Sequence, residues 1–198
     1  MKEFLKQIKI SIIATLVFAV VLCVIYPLIV WVVGQVYFPF RANGSLITNS
    51  KGIVVGSELI GQSFAGPQYF EPRPSYAGGG YDPTASGGSN LGPTSQKLAT
   101  NIEQAVAAYQ TENNLSANTS VPADAVTGSA SGLDPEISIA NAEIQAVRIA
   151  TARRLELSEV QSLIVQYTDD RSLGILGEPG VNVLQINIAL DKLAPMKK

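Results

Sequence analysis

Ile10-Ser11-Ile12-Ile13-Ala14-Thr15-Leu16-Val17-Phe18-Ala19-Val20-Val21-Leu22-Cys23-Val24-Ile25-Tyr26-Pro27-Leu28-Ile29-Val30-Trp31-Val32-Val33 is a run of 24 residues without one Asp, Glu, Lys or Arg. Its reading decides the architecture. A helix rising ~1.5 Å per residue would reach ~36 Å over this run, enough for a hydrocarbon core of ~30 Å. The competing reading is a cleaved signal peptide, because the run is N-terminal and follows Lys2, Lys6 and Lys9. Signal h-regions span only ~7–15 residues and end at an Ala-x-Ala-like site. Trp31-Val32-Val33-Gly34-Gln35 offers no such site, so the residues favour an uncleaved anchor. Pro27 interrupts the span and predicts a kink, which a packed membrane helix tolerates.

Orientation follows the flanking Lys and Arg. Three lysines precede the run and only Arg41 follows closely. This predicts residues 1–9 in the cytoplasm, 10–33 across the bilayer and 38–198 outside. Trp31, Tyr37, Phe38 and Phe40 fit an aromatic belt at the outer interface. Ser11, Thr15, Ala19 and Cys23 form a ladder of small residues spaced four apart. In lipid such a face lets a partner helix approach closely, because packing drives association there.

The remaining composition removes whole classes of chemistry. Over 198 residues, 14 basic against 16 acidic side chains leave no basic footprint for nucleic acid. There is no histidine, which excludes Ser-His-Asp and Cys-His catalysis and imidazole metal sites. Cys23 is the sole cysteine, so disulfides within the chain and Cys-x-x-Cys redox chemistry are excluded. No metal ligand set and no catalytic residues are expected, which points toward assembly.

Beyond the span, the pattern predicts one α+β domain. Ser45-Leu46-Ile47-Thr48 and Ile53-Val54-Val55 flank Asn49-Ser50-Lys51-Gly52 as a hairpin, with Leu59 and Ile60 as a possible extension of its second strand. Residues 61–95 hold eight glycines and five prolines in 35 positions. Loops longer than ~12–15 residues in compact domains are functional or disordered, and interspersed Tyr69, Phe70, Arg73, Tyr76, Tyr81 and Asn90 argue for an ordered, partner-facing loop. A helix is predicted from Ser95 to Glu112, with Leu98, Ile102, Val106 and Tyr109 on one face. Residues 116–132 read as a polar surface connection. A second helix runs from a Ser138 cap to about Arg154, with Ile144, Val147 and Thr151 on one side. A third starts at a Ser158/Gln161 capping box and reaches about Tyr167. Val181 to Leu190 reads as a last strand, since Leu184, Ile186, Ile188 and Leu190 alternate.

Candidate chemistry is thin. Gly87-Gly88-Ser89-Asn90-Leu91-Gly92 is followed by Pro93 rather than the Lys-Ser/Thr of a phosphate loop. Asp169-Asp170 and Glu136 read as solvated charges. Tyr and Arg anchors dominate contact surfaces, so Tyr69, Phe70 and Arg73 are the expected docking residues, with Ser86, Gly88 and Asn90 shaping the backbone beside them.

Several stretches match a known family. Phe38-Pro39-Phe40-Arg41-Ala42-Asn43-Gly44-Ser45 and Gly56-Ser57-Glu58-Leu59-Ile60-Gly61-Gln62 resemble the opening of the C subunits of Kdp potassium-transporting ATPases. Tyr69-Phe70-Glu71-Pro72-Arg73-Pro74-Ser75 and Ser86-Gly87-Gly88-Ser89-Asn90-Leu91-Gly92-Pro93 are similar to its central signatures. Ser131-Gly132-Leu133-Asp134-Pro135-Glu136-Ile137-Ser138 and the segment from Val181 to Asp191 match its C-terminal half. Glu136 departs from the pattern, standing where many relatives are expected to carry histidine. The resemblance implies an accessory, non-catalytic subunit of a high-affinity, ATP-driven potassium importer in a bacterial cell membrane. Its implied partners are a channel-like A subunit, an ATP-hydrolysing B subunit and a small F subunit. The implied role is that of a catalytic chaperone raising the B subunit's ATP affinity. ATP is thus implied through the B subunit, with potassium as the cargo of the complex and no cofactor assigned to this chain. The residues alone leave a second reading open, a membrane-anchored extracytoplasmic solute-binding or sensor domain.

Overall fold

The computed structural model describes residues 1–49 and 52–195. The chain forms two compact units, Met1–Leu46 and the part beginning at Ile47. In the first, helix α1 (Lys2–Val20), a π-helical turn (Val21–Ile25) and α2 (Tyr26–Tyr37) form one helical stretch. It is longer than the apolar run alone, because the lysine-bearing turns before residue 10 also coil. The expected disturbance at Pro27 takes the form of the π turn. The Tyr26 N–H bonds the Val21 carbonyl, five residues back, which widens the turn where the proline ring would crowd the carbonyl of Cys23. None of this stretch is buried, and it is long and apolar enough to cross a membrane. A short α3 (Pro39–Ala42) follows.

From the last residue of the first unit onward, β1 (Leu46–Thr48) and β2 (Val54–Ser57) form the hairpin. Two of its turn residues, Ser50 and Lys51, lie outside the described residues. Leu59 and Ile60 do not extend β2; the chain turns at 58–60. No helix or strand occurs from there to α4 (Gln96–Glu112), whose first turn is capped by Ser95 accepting from Leu98 N–H.

The stretch 116–132 is more than a surface connection. It contains α5 (Ala123–Val126), with Val126 buried. A strand not anticipated from the sequence, β3 (Glu136–Ser138), leads into α6 (Ile139–Arg153), capped by Ser138 as expected. The side carrying Ile144, Val147 and Thr151 is not its inward face. Val147 and Thr151 are exposed, while Ala142, Gln145, Ala146, Arg148 and Ile149 are buried. Helix α7 (Leu157–Gln166) begins earlier than expected: its capping box is Glu156 with Glu159, not Ser158 with Gln161. Strand β4 (Thr168–Asp169) and β5 (Gly180–Asn182) complete an antiparallel sheet ordered β3-β5-β4, with Ile137 and Thr168 both opposite Val181.

The predicted last strand is the largest correction. Only its start is extended; from Val183 the chain is helix α8 (Val183–Leu193), capped by Asn182 accepting from Gln185 N–H. Val183, Ile186, Asn187 and Leu190 recur at helical spacing, so both periods coexist in this segment. Ile149, Val160, Ile164, Val181, Ile186 and Leu190 join Phe70 in a single core. The α+β class stands.

Candidate functional site

The glycine-rich segment has no regular structure, so its backbone polar groups need other partners. Side chains of α6 and α8 supply them at four consecutive residues. Arg153 Nε donates to the Gln68 carbonyl at 2.7 Å, and Arg148 Nη1 to the Tyr69 carbonyl at 3.2 Å. Asn187 takes both sides of Phe70, accepting its N–H at 2.8 Å and donating to its carbonyl at 2.9 Å. Gln145 does the same for Glu71, at 2.8 and 3.1 Å. All four clamping side chains belong to buried residues. They play the part of neighbouring strands for residues 68–71.

This clamp decides where the expected docking residues sit. Phe70 is fully buried in the core and has no surface with which to touch a partner. Tyr69 is half-buried; its hydroxyl donates to Asp191 Oδ2 at 3.1 Å and its ring lies under the Arg153 guanidinium at 4.8 Å. Burial and the Asp191 charge push its hydroxyl pKa up. Arg73 pairs with Asp134 at 2.9 Å and reaches the Thr127 carbonyl. Ser86 donates to the Ser131 carbonyl at 3.0 Å. Gly87 N–H bonds the same carbonyl, and a Cβ on Gly88 would stand 3.1 Å from the Ala130 carbonyl oxygen. The close approach of two backbones therefore accounts for the glycine at 88, whereas a Cβ on Gly87 would meet nothing. Asn90 is exposed, in a left-handed conformation. The structure thus brings Ser86 and Gly88 together with 129–132, and Tyr69 together with Asp191 and Arg153. It leaves Asn90 apart.

Sequence reasoning missed the clamp itself: Gln145, Arg148, Arg153 and Asn187. The available signal was a stripe of polar residues, Asn141, Gln145 and Arg148, at helical spacing on α6. Asn141 extends the network. It accepts from the Tyr109 hydroxyl at 2.7 Å and from Gln145 at 2.9 Å, and donates to Asp124 at 3.0 Å. Asp124 in turn accepts from Ser138 N–H and hydroxyl, both at 2.8 Å.

At the other end, Arg148 lies 3.6 Å from Glu112, with Glu71 beside them. Burial, then the Glu112 charge and a hydrogen bond to it, push the Glu71 pKa up to about 7, against the opposing pull of Arg148. The two carboxyls line a groove of about 810 Å³ with Asn113, Val147 and Arg148. Burial and the Glu71 charge push the Tyr81 pKa up to about 12. Among the described residues, no group of three or more His, Cys, Asp or Glu is placed to hold a metal ion.

The ladder Ser11, Thr15, Ala19 and Cys23 is exposed along the helical stretch, as are Trp31, Tyr37, Phe38 and Phe40.

Residues 8–192 match a family model described as "KdpC: K+-transporting ATPase, c chain". Among curated proteins, the chain is 55% identical over 178 residues to the potassium-transporting ATPase KdpC subunit of Mycobacterium tuberculosis strain H37Rv, covering 90% of this chain and 94% of that protein. It is 50% identical to the corresponding subunit of Acidobacterium capsulatum, over 96% of this chain and all of that one. With that of Koribacter versatilis the identity is 46%, over 96% and 97%.

Proposed function

The chain belongs to the KdpC family, the c chains of K+-transporting ATPases, and from that premise we propose that it is an accessory, non-catalytic subunit that assembles and stabilises the pump. The observation that carries this reading is the match over residues 8–192, which takes in the apolar helix and the folded unit alike. An exposed apolar helix supports it as well, because such a helix is at home against lipid and other membrane helices. On this reading the small-residue ladder packs against a channel-like A or ATP-hydrolysing B subunit. Potassium is the cargo of the complex, and ATP acts at the B subunit.

The chaperone role then operates through the assembly. With Lys2, Lys6 and Lys9 before the apolar run, the folded unit lies outside the membrane, away from cytoplasmic ATP. It raises ATP affinity by holding the B subunit's membrane partners in one arrangement. Two measurements test this reading. With Cys23→Ala in place, a cysteine introduced at exposed Ser120 reacts with an impermeant maleimide in intact cells. The purified pump loses ATP affinity when assembled without this chain. Labelling only after lysis overturns the topology, and an unchanged KM for ATP overturns the chaperone role.

A further inference from the structure

Between β4 and β5 the chain makes a small apolar-tipped hairpin that nothing in the folded unit explains. Leu173, Ile175 and Leu176 are 88, 76 and 56% exposed. Single exposed apolar residues are ordinary, but three within four positions form a patch. The tip is also built rather than slack. Ser172 and Leu176 bridge the two arms, Gly174 N–H bonds the Arg171 carbonyl, and Arg171 pairs with Glu178 at 2.6 Å across the neck. Leu173 sits at φ 56, a left-handed conformation that disfavours a side chain with a Cβ. The hairpin thus holds a leucine outward at a conformational cost and in water.

The collar of this tip is acidic. Asp169, Asp170 and Glu178 stand against the single Arg171, all exposed. Glu136, on the strand beside β5, feels the same field: its carboxyl is pushed up by burial and by the charges of Asp169 and Asp134. Three occupants compete for the tip. Anionic headgroups would repel the collar, and the tip lacks the Trp, Tyr, Lys and Arg that anchor interfacial segments. A second copy would set like charge against like. A protein pocket with an apolar floor and a Lys/Arg rim satisfies both the tip and the collar.

We propose that the tip formed by Leu173, Ile175 and Leu176 plugs an apolar, basic-rimmed pocket on another subunit of the potassium pump, an inference that rests on the pump-subunit reading above. The test places the photo-crosslinking residue p-benzoyl-phenylalanine at Leu173 of the full chain, in the assembled pump in its membrane. The expected result is a covalent adduct with another pump subunit. Adducts with lipid alone, with a second copy, or with nothing overturn the plug. Separately, Leu173→Ser with Ile175→Ser weakens retention of the chain on a tagged B subunit by about tenfold or more, the size expected for unburying one or two such side chains. Reversing the collar with Asp169→Lys and Asp170→Lys does the same more strongly at low salt. Unchanged retention in both variants overturns the proposal. The two readings fail differently: a wild-type chain that does not copurify with the B subunit defeats the pump-subunit reading, whereas normal copurification without a Leu173 adduct defeats only the plug.

Discussion

Two irregular segments carry opposite lessons. The glycine-rich stretch 61–95 is long and without helix or strand, yet buried side chains hold its backbone residue by residue over 68–71. The hairpin tip at 171–177 is short and holds its shape locally, and the ion pair across its neck lies at the surface. Interspersed aromatics and Arg73 pointed to the first as the contact surface. Burial puts its Phe70 in the core and leaves the second facing outward. An irregular backbone is therefore no mark of a partner; what matters is where its polar groups and large side chains end up.

The contrast breaks most sharply at Phe70. If the stretch belongs to the core, Phe70→Ala leaves a cavity beside Ile149 and Ile186 and destabilises the purified full chain by about 3–5 kcal/mol. Denaturant unfolding in detergent measures this. A loss below ~1 kcal/mol would return Phe70 to the surface role its sequence context suggested. Next in size is Asn187→Ala. It orphans both the N–H and the carbonyl of Phe70, each buried and each costing about 1–3 kcal/mol when unpaired. The same unfolding experiment should show a loss of about 2–4 kcal/mol, since water can recover part of one bond.

Legibility in the sequence followed the range of the interactions. Helix starts are local, so α4 with its Ser95 start and α6 with its Ser138 cap were readable. The hairpin was readable from its turn. Helix α8 was misread because Val183 to Leu190 satisfies period two and period 3.6 together. The Asn182 cap that settles it looks like any turn asparagine until its partner, Gln185 N–H, is seen. The inward face of α6 was not legible for a different reason. Gln145 and Arg148 are buried because a backbone more than 70 residues away in sequence needs their hydrogen bonds, and hydropathy ranks Val147 above both. The clamp was invisible for the same reason, while Tyr69 and Arg73 were noticed as side chains without any sign of what would hold them.

A third prediction concerns the Glu71 proton at the edge of the clamp. Glu71 is raised from its ordinary 4.5 to about 7 in the folded chain, with Glu112, Arg148 and Tyr81 as its charged or titratable neighbours. The folded state therefore binds this proton more tightly than the unfolded state does. Its contribution to stability is complete below the unfolded value and is lost as pH rises through the folded one, across the window from about 4.5 to about 7. Glu71→Gln keeps the hydrogen bond to Glu112 without the titration. Melting of the variant should match wild type at the acid end of that window and exceed it above the window. A parallel pair of melting curves across the whole range would show that Glu71 carries no such linkage.

The smallest expected effect lies in the other segment. Leu173 is 88% exposed, so replacing it removes almost no contact within the folded unit. Its left-handed backbone is held by the hydrogen bonds of its neighbours, Gly174 N–H to the Arg171 carbonyl and Leu176 N–H to that of Ser172, which a serine leaves intact. Leu173→Ser should therefore shift the unfolding free energy of the isolated full chain by less than about 0.5 kcal/mol. The value of this near-zero lies in its pairing with the Phe70 result. A side chain that stabilises the folded chain by nothing, set beside one that stabilises it by several kcal/mol, separates core from surface in two segments that look alike in secondary structure. A loss above ~1 kcal/mol at Leu173 would mean that the tip folds back onto the domain, and the contrast between the two segments would disappear.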